Sequence, residues 1–232
     1  MVARVIALGD RNPEFVTHRE IDATLALLAD EIEGSWVATD SAEAGDLALA
    51  DGIWLLPGSP YRNDQVAYDA IEHCLRTRTP FLGTCAGFQY ACVALARTFA
   101  GLLGASHAET DPGAKELVIV PLECSLYGER RTVRPVAGTS LAAICGQGPF
   151  EGFHWCGYGL ASEFVDVLVR SGVVVSASAD DAGVEGIELT DHPFFICTAF
   201  QPQVGSGATG RLHPLLEAFL AAAVRHSECR GI

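Results

Sequence analysis

A cysteine flanked by two glycines carries the strongest chemical signal in this sequence. Residues 80–89 read Pro-Phe-Leu-Gly-Thr-Cys-Ala-Gly-Phe-Gln, so Gly83 and Gly87 lie two residues on either side of Cys85. The pattern predicts a short buried strand, a sharp turn with Cys85 at its apex and a helix that begins at Ala86, which is the geometry of a nucleophile elbow. The glycines are needed because such a turn brings the strand and the helix so close that a Cβ on either side would collide.

The predicted helix bears on the chemistry of the thiol. Its first N–H groups and its positive dipole end would point at the sulfur of Cys85, which favours the thiolate and leaves N–H donors for a developing oxyanion. We therefore interpret Cys85 as a nucleophile. The simpler alternative is a buried cysteine at a strand end, which is common because cysteine packs like a small hydrophobic residue.

The elements around Cys85 alternate between strands and helices. Apolar runs predict strands, and apolar residues at helical spacing predict the helices between them. Strands are expected at residues 2–9, 36–39, 51–60 and 80–84, and helices at 15–33, 64–78 and 86–100. This alternation predicts an α/β fold with an open, mostly parallel sheet and helices on both faces.

Ligands in such sheets bind beyond the carboxyl ends of the strands. The Pro-Gly-Ser-Pro loop at residues 57–60 and Cys85 both follow strands, so we expect them to converge on one site.

The second half of the chain is richer in strands. Residues 124–149 mix turns with a short apolar segment, which we interpret as an excursion over the sheet. Further strands are predicted at 116–121, 173–178, 184–190 and 194–200, turns at 180–183 and 190–193, and a final helix at about 212–226.

Composition narrows the class of protein. The chain has 232 residues, 49% of them hydrophobic, which favours one domain over residues 1–232. The net charge of −14 argues against nucleic acid and anionic membranes as partners, because both would repel the protein. No apolar run is long enough for a membrane span, and no secretory signal is recognised. The eight cysteines form no C-x-x-C pair, which favours reduced cysteines in the cytoplasm and neither a metal site nor another cofactor.

Three segments carry a resemblance to the class I glutamine amidotransferases, and more narrowly to the C-terminal glutaminase domain of CTP synthase. Residues 80–89 resemble the family's Pro-Phe-Leu-Gly-Ile-Cys-Leu-Gly-Met-Gln, and residues 105–109 resemble its Ala-Asn-Ser-x-Glu. Residues 184–195 resemble its Val-Glu-Ile-Val-Glu-Leu-x-Asp-His-Pro-Phe-Phe. The resemblance implies a flavodoxin-like α/β domain and spans nearly the whole chain. We do not expect the family's synthetase domain, which binds ATP and UTP, within these residues.

The resemblance also implies roles for individual residues. In the family a cysteine thiolate, here Cys85, attacks the side-chain amide of glutamine. Gly58 and the N–H of Ala86 match the oxyanion hole, with Ser59 beside them in the substrate-binding loop. Glu109 matches the residue that holds the substrate's α-amino group, and Gln89 matches a glutamine that contacts the ligand.

Other positions depart from the family pattern. Gln201 and Gln203 stand where the family has the histidine base and the glutamate that orients it, and a neutral amide cannot accept or donate the proton. The simpler interpretation of these two residues is a strand end capped by solvent-facing amides. Gly157 stands where an arginine would bind the α-carboxylate of glutamine, and losing such a contact forfeits a few kcal/mol.

Other residues are candidates for the lost roles. His154 is our first candidate for the base, because its segment matches one that lines the family's site, and the alternative is a histidine packed in an aromatic cluster. His107 is a weaker candidate for the base and otherwise a surface-loop residue. Arg62 is a candidate for the carboxylate clamp and otherwise a solvated loop cation.

Three functions remain open at this point. We favour a Cys85-dependent hydrolase or amidase that acts on a small amine-bearing molecule other than glutamine. The alternative is a catalytically inactive binding or regulatory module, and a weaker one is a glutaminase subunit that supplies ammonia to a partner synthetase. A homo-oligomer is compatible with each of them.

Overall fold

The computed structural model describes residues 2–180 and 183–230. Its strands are β1 (Ala3–Leu8), β2 (Ile32–Val37), β3 (Gly52–Leu55), β4 (Phe81–Thr84), β5 (Ala105–His107), β6 (Glu116–Pro121), β7 (Glu129–Pro135), β8 (Phe150–His154), β9 (Tyr158–Leu160), β10 (Val174–Ala179), β11 (Gly183–Glu188) and β12 (Phe195–Thr198). Its helices are α1 (Val16–Leu27), α2 (Ala44–Leu49), α3 (Asp64–Thr77), α4 (Ala86–Thr98), α5 (Ser140–Cys145), α6 (Ser162–Arg170), α7 (Ser206–Thr209) and α8 (Pro214–Arg230).

Among these residues, nine strands form one sheet in the order β2-β1-β3-β4-β12-β11-β10-β7-β8. The first five strands of that order pair in parallel. The remaining four continue the sheet with antiparallel pairings. A separate small sheet has the order β5-β6-β9. The predicted α/β sheet is therefore confirmed, with its parallel half built from the first part of the chain and β12.

Helices cover both faces of the sheet, as predicted. Successive side chains of a strand point to opposite faces, so Ile6 and Leu8 of β1 pack in one apolar cluster and Val5 and Ala7 pack in another. The first cluster includes buried residues of α3 and α4, and the second includes buried residues of α1 and α8. Burial on both faces explains why the central strands read as continuous apolar runs.

The first predicted helix, at residues 15–33, is too long. Helix α1 ends at Leu27, and β2 begins at Ile32, four residues before the predicted strand. Ile32 is buried in β2, where its apolar side chain also happens to continue the helical spacing. Gly34, predicted to end the helix, lies within the strand.

The region 124–149 is more than an excursion over the sheet. It contains β7 and α5, and β7 extends the main sheet and pairs with β8. Strand β7 is rich in charged residues and has one buried residue, Val133, so it contains no apolar run that would predict it. Of the predicted turn at 180–183, residues 181–182 lie outside the described residues.

No helix in the described part of the chain is both long and apolar enough to cross a membrane.

Candidate functional site

The turn at Cys85 has the backbone geometry that the glycine pattern predicts. Cys85 lies between β4 and α4 with φ +54° and ψ −104°, a strained conformation for a residue with a side chain. Its N–H donates to the carbonyl of Thr198 at the end of β12 (2.8 Å), and its own carbonyl accepts from the N–H of Gln89 (3.1 Å). These bonds hold the sulfur at the carboxyl end of the parallel strands.

The two glycines are required by close contacts between backbones. A Cβ on Gly87 would lie 2.2 Å from the carbonyl oxygen of Leu55 in β3, and a Cβ on Gly83 would lie 2.8 Å from the carbonyl oxygen of Gly87. Neither oxygen belongs to a flexible side chain, so neither contact is easily relieved.

A cavity of about 120 Å³ opens over Cys85. It brings together the loop after β3, the start of α4 and the connection between β8 and β9. Its walls are formed by Phe15, Thr17, Pro57, Gly58, Ser59, Cys85, Gln89, Glu109, Tyr127, Trp155, Cys156, Gly157, Tyr158 and Gln201. The predicted convergence of the 57–60 loop with Cys85 is therefore present in the structure.

The oxyanion side of the cavity is organised by a histidine that the sequence did not single out. His18 of α1 is buried, and its Nδ1 accepts from the N–H of Asn12 (2.9 Å), so its Nε2 carries the proton and donates to the carbonyl of Pro57 (3.0 Å). This bond fixes the peptide between Pro57 and Gly58, whose φ is +110°. Burial lowers the pKa of His18 and so favours the neutral ring. On the opposite side, the N–H of Ala86 contacts the sulfur of Cys85.

Glu109 supplies a carboxylate to the cavity. One of its oxygens, Oε2, is buried without a hydrogen-bond partner in the protein. Its N–H donates to Nδ1 of His107 (3.1 Å), and Nε2 of His107 donates to Oε1 of Gln89 (3.1 Å). The amide of Gln89 in turn donates to the carbonyl of Tyr158 (3.0 Å).

The position of His107 corrects both expectations for it. The residue is fully buried, so it is not a surface-loop residue. Burial lowers its pKa to about 4, and both of its nitrogens are engaged with Glu109 and Gln89, so it orients that amide and does not reach Cys85 as a base.

The cavity has no positive side chain among its described lining residues. Arg62 does not line it, because the guanidinium is exposed and pairs with Asp40 (3.2 Å). The carboxylate clamp expected of Arg62 is therefore not formed. A Cβ on Gly157 would lie 3.3 Å from the hydroxyl of Tyr127, so a neutral phenol occupies the space into which a side chain at position 157 would extend.

Gln201 and Gln203 are buried, which is contrary to the interpretation of solvent-facing amides. Nε2 of Gln203 donates to Oε1 of Gln201 (2.9 Å), and this bond leaves Nε2 of Gln201, a residue of the cavity wall, without a partner in the protein. Gln201 therefore offers a hydrogen-bond donor to a ligand in the cavity, and it supplies no base.

His154 lies behind the cavity and is not among its lining residues. Its ring is fully buried, with Nδ1 directed at the carbonyl of Gly152 (3.1 Å) and Nε2 at the carboxylate of Glu185 (2.8 Å). Both nitrogens face acceptors, which is the arrangement of an imidazolium. Burial acts to lower the pKa of His154, but the hydrogen bond and charge of Glu185 outweigh it and the pKa is raised. The structure does not bring His154 to Cys85 as the expected direct base.

Glu185→Gln is expected to lower the free energy of unfolding by about 3 kcal/mol near pH 6, because it leaves a buried histidine without its counter-ion. The folded-state pKa of His154 is raised, so the stabilisation from the pair is complete below the unfolded pKa of about 6.5 and declines as the pH rises through the folded pKa. Urea denaturation between pH 5.5 and 9 measures this loss.

Glu151→Gln is the matched control, since Glu151 is an exposed carboxylate on the same strand as His154. It accepts a hydrogen bond from the hydroxyl of Thr132, which is also exposed. It should change stability by less than about 0.5 kcal/mol at every pH. A destabilisation by Glu185→Gln that grew with pH would contradict the charged pair.

Cys156 is the functional candidate that the sequence analysis missed. It lines the same cavity as Cys85 and packs against Cys85 and Leu126 in a small cluster. The thiol of Cys85 itself donates to the carbonyl of Trp155, the residue before Cys156 (3.7 Å). Cys156 follows an aromatic residue in a segment without an apolar run, and no spacing in one sequence relates it to Cys85.

The two neighbouring thiols shift each other's pKa in opposite directions. The pKa of Cys156 is lowered, first by the neighbouring thiol of Cys85 and then by the charge of His154 and the N–H of Tyr158. Burial and the charge of Glu185 act in the opposite direction. The pKa of Cys85 is raised, first by the neighbouring Cys156 and then by burial, which is contrary to the thiolate expected from the helix N-terminus.

No group of three or more His, Cys, Asp or Glu side chains in the described part of the chain is arranged to hold a metal ion.

Comparison with known proteins identifies the class. Residues 19–220 match the family described as "Glutamine amidotransferase class-I", and the chain belongs to this family. The chain is 34% identical over 216 residues to the CTP synthase of Thermus thermophilus, an alignment that covers 85% of this chain and 39% of that enzyme. It is 28% identical over 219 residues to the CTP synthase of Staphylococcus aureus, covering 86% and 40%. The chain thus spans about two fifths of the length of these relatives.

Solved structures show the same fold. The glutaminase domain of Trypanosoma brucei CTP synthase with bound acivicin superposes with a TM-score of 0.83 at 20% identity, covering 97% of this chain and 94% of that one. A glutamine amidotransferase from Thermotoga maritima superposes with a TM-score of 0.61 at 16% identity, covering 100% and 86%. The resemblance to a CTP synthase glutaminase domain seen in the sequence is confirmed at the level of family and fold.

Proposed function

We propose that the protein is a Cys85-dependent amidase that hydrolyses a small amide bearing one ammonium group and no α-carboxylate. The observation that supports this most directly is the charge of the cavity. It presents an unpartnered carboxylate oxygen of Glu109 and no arginine or lysine among its described lining residues.

The rest of the cavity wall suits a cation. Phe15, Tyr127, Trp155 and Tyr158 line it, and aromatic faces attract ammonium groups. Glutamine would bring a carboxylate into this negatively charged site with no positive partner for it. Burying such a charge unpaired is unfavourable, so glutamine is a poor candidate substrate.

At the end of the cavity away from Glu109, the protein offers hydrogen-bond donors to the reacting amide. In the proposed complex the carbonyl carbon lies over the sulfur of Cys85, and its oxygen accepts from the N–H groups of Gly58 and Ala86. The free Nε2 of Gln201 donates a further hydrogen bond to the bound substrate. These contacts hold the amide for attack without any titrating group at position 201.

The substrate test compares two molecules that differ only in the α-carboxylate, L-glutamine and 4-aminobutanamide. We expect ammonia release from 4-aminobutanamide with a kcat/KM at least about tenfold above that for glutamine, because an unpaired charge costs more than about 1.4 kcal/mol. Faster hydrolysis of glutamine would contradict the proposal and would support a glutaminase that serves a partner synthetase.

Glu109→Gln tests the ammonium contact. It should raise KM for 4-aminobutanamide about tenfold or more, since a charge-assisted hydrogen bond contributes roughly 1.5–3 kcal/mol. Hydrolysis of butanamide, which lacks the amine, should be unchanged by the same substitution. Equal losses with both substrates would show that Glu109 supports the fold and does not bind the amine.

An inactive binding module is the second candidate, and the buried amides at positions 201 and 203 favour it, because neither can replace the base of the family. In that case 4-aminobutanamide would raise the melting temperature without releasing ammonia.

For either function we propose a reducing compartment such as the cytoplasm, in keeping with eight unpaired cysteines.

A further inference from the structure

A fully buried histidine joins the side of the cavity that carries the carboxylate of Glu109. His107, the last residue of β5, does not line the cavity, yet it contacts three residues that do. Its Nδ1 accepts from the N–H of Glu109 (3.1 Å), and its Nε2 donates to Oε1 of Gln89 (3.1 Å). Its ring packs against that of Tyr158, with 5.1 Å between the centroids. One side chain thus connects α4, β9 and the turn after β5.

The hydrogen bonds of His107 run in one direction. They begin at the backbone N–H of Glu109, which can only donate, so Nδ1 of the ring is unprotonated and Nε2 carries the proton. The amide of Gln89 therefore accepts at Oε1, and its Nε2 donates to the backbone carbonyl of Tyr158 (3.0 Å), which can only accept. The fixed backbone groups at both ends leave one tautomer for the histidine and one orientation for the amide.

The same histidine fixes the turn that carries Glu109. The backbone carbonyl of His107 accepts from the N–H groups of Thr110 (3.1 Å) and Asp111 (2.9 Å), and its ring accepts from the N–H between them and the strand. The backbone of Glu109 is therefore held in place, while its side chain extends into the cavity wall. There Oε2 is buried and has no hydrogen-bond partner in the described part of the chain.

Resting on the proposed amidase function, we propose that His107 is a positioning residue for the ammonium group of the substrate. A primary ammonium group brings three donors, and the acceptors offered to it are the carboxylate of Glu109 and the second lone pair of Oε1 of Gln89. His107 sets the orientation of this amide and the turn that holds the carboxylate. Amides without an amine do not use these acceptors, so His107 acts on KM for amine-bearing substrates and not on the attack by Cys85.

A neutral ring suits this role, because a charged imidazolium behind the two acceptors would repel the ammonium group. Burial lowers the pKa of His107 to about 4, so the ring is neutral near pH 7.

The first experiment uses wild type and requires no turnover. In protein labelled with nitrogen-15 histidine, NMR at pH 7 distinguishes protonated from unprotonated ring nitrogens, and contacts with the rings of Tyr90 and Tyr158 assign the signals of His107. We expect a neutral ring with the proton on Nε2 and a shift of that signal when n-butylammonium chloride is added. A proton on Nδ1, or an Nε2–H signal that n-butylammonium does not move, would overturn the proposal.

Two variants of His107 separate its hydrogen bonds. Asparagine keeps an acceptor for the N–H two residues ahead, as in an Asx turn, but is too short to reach Gln89. Glutamine carries an N–H about as far along the side chain as Nε2 of histidine, so it can still donate to Gln89. His107→Asn should raise KM for 4-aminobutanamide about fivefold, as for the loss of one neutral hydrogen bond, with kcat within about twofold. His107→Gln should restore KM to within about twofold of wild type, and neither variant should change KM for butanamide.

His192→Asn is the matched control. The ring of His192 makes the same kind of bonds elsewhere in the fold, with Nδ1 accepting from the N–H of Phe194 (3.2 Å) and Nε2 donating to the carbonyl of Cys74 (3.0 Å). His192 is not among the residues that line the cavity over Cys85. His192→Asn should therefore leave KM for 4-aminobutanamide unchanged.

The outcomes separate this role from the amidase function itself. Equal rises in KM for 4-aminobutanamide and butanamide, or equal effects of His107→Asn and His192→Asn, would show that His107 only supports the fold. Hydrolysis of 4-aminobutanamide with the same KM in wild type and His107→Asn would also refute the positioning role and leave the amidase intact. If n-butylammonium moves the His107 signal but wild type releases no ammonia, the amidase function fails and the ammonium site stands.

Discussion

Cys85→Ser is expected to abolish hydrolysis of 4-aminobutanamide, with kcat/KM reduced by about 10⁴-fold or more, as for the removal of a catalytic nucleophile. Serine keeps the Cβ that the strained turn already accommodates at φ +54°, so the fold should be retained. The loss arises because the hydroxyl is far less acidic than the thiol and a much weaker nucleophile. Ammonia release and the mass of the acid-quenched protein measure the result, and only wild type should carry the acyl adduct.

Cys229→Ser is the control for this prediction. Cys229 is exposed near the end of α8 and away from the cavity. The control should retain wild-type turnover and still form the adduct. Appreciable turnover by Cys85→Ser, above about 1% of wild type, would show that another nucleophile or a water molecule attacks the amide.

The turn that carries Cys85 was predictable from the sequence because its determinants are local. Cys85, Gly83 and Gly87 lie within five residues, and the contacts that exclude a Cβ arise between the strand, the turn and the helix they specify. The parallel half of the sheet was predictable for a related reason. Strands buried on both faces must be apolar throughout, and such runs are visible in one sequence.

The surroundings of Cys85 were not predictable in the same way. Cys156 reaches the cavity just after β8, whose neighbour β7 is a charged strand with no apolar run, so the pairing that positions it cannot be seen in the local sequence. His18 acts on the loop after β3 from helix α1, 39 residues away in the chain. The burial of Gln201 likewise depends on tertiary packing and not on its neighbours in sequence.

Both ends of the cavity differ from the family pattern. Without a titrating group at position 201, a histidine elsewhere would be needed, yet the described histidines nearest the cavity are committed to other hydrogen bonds. Tyr127 over Gly157 alters the opposite end of the cavity, where a carboxylate would have been held.

Gly87→Ala should produce the largest loss of stability, a decrease of about 3 kcal/mol or more in the free energy of unfolding. The new Cβ would lie 2.2 Å from the carbonyl oxygen of Leu55 in a fully buried strand. Relief requires α4 to move away from β3, and that movement would open the core on this face of the sheet. Urea denaturation followed by circular dichroism measures the change.

Two further glycines make this prediction specific to the contact. Gly83→Ala, with its Cβ 2.8 Å from a carbonyl oxygen, should destabilise the protein less than Gly87→Ala does. Gly45→Ala lies in helix α2 with no atom within 4 Å of the added Cβ, so it should stabilise by about 0.5–1 kcal/mol through the helix preference of alanine. If Gly87→Ala were as stable as Gly45→Ala, β3 and α4 would be less closely packed than the turn at Cys85 requires. That result would contradict the strained backbone geometry assigned to Cys85.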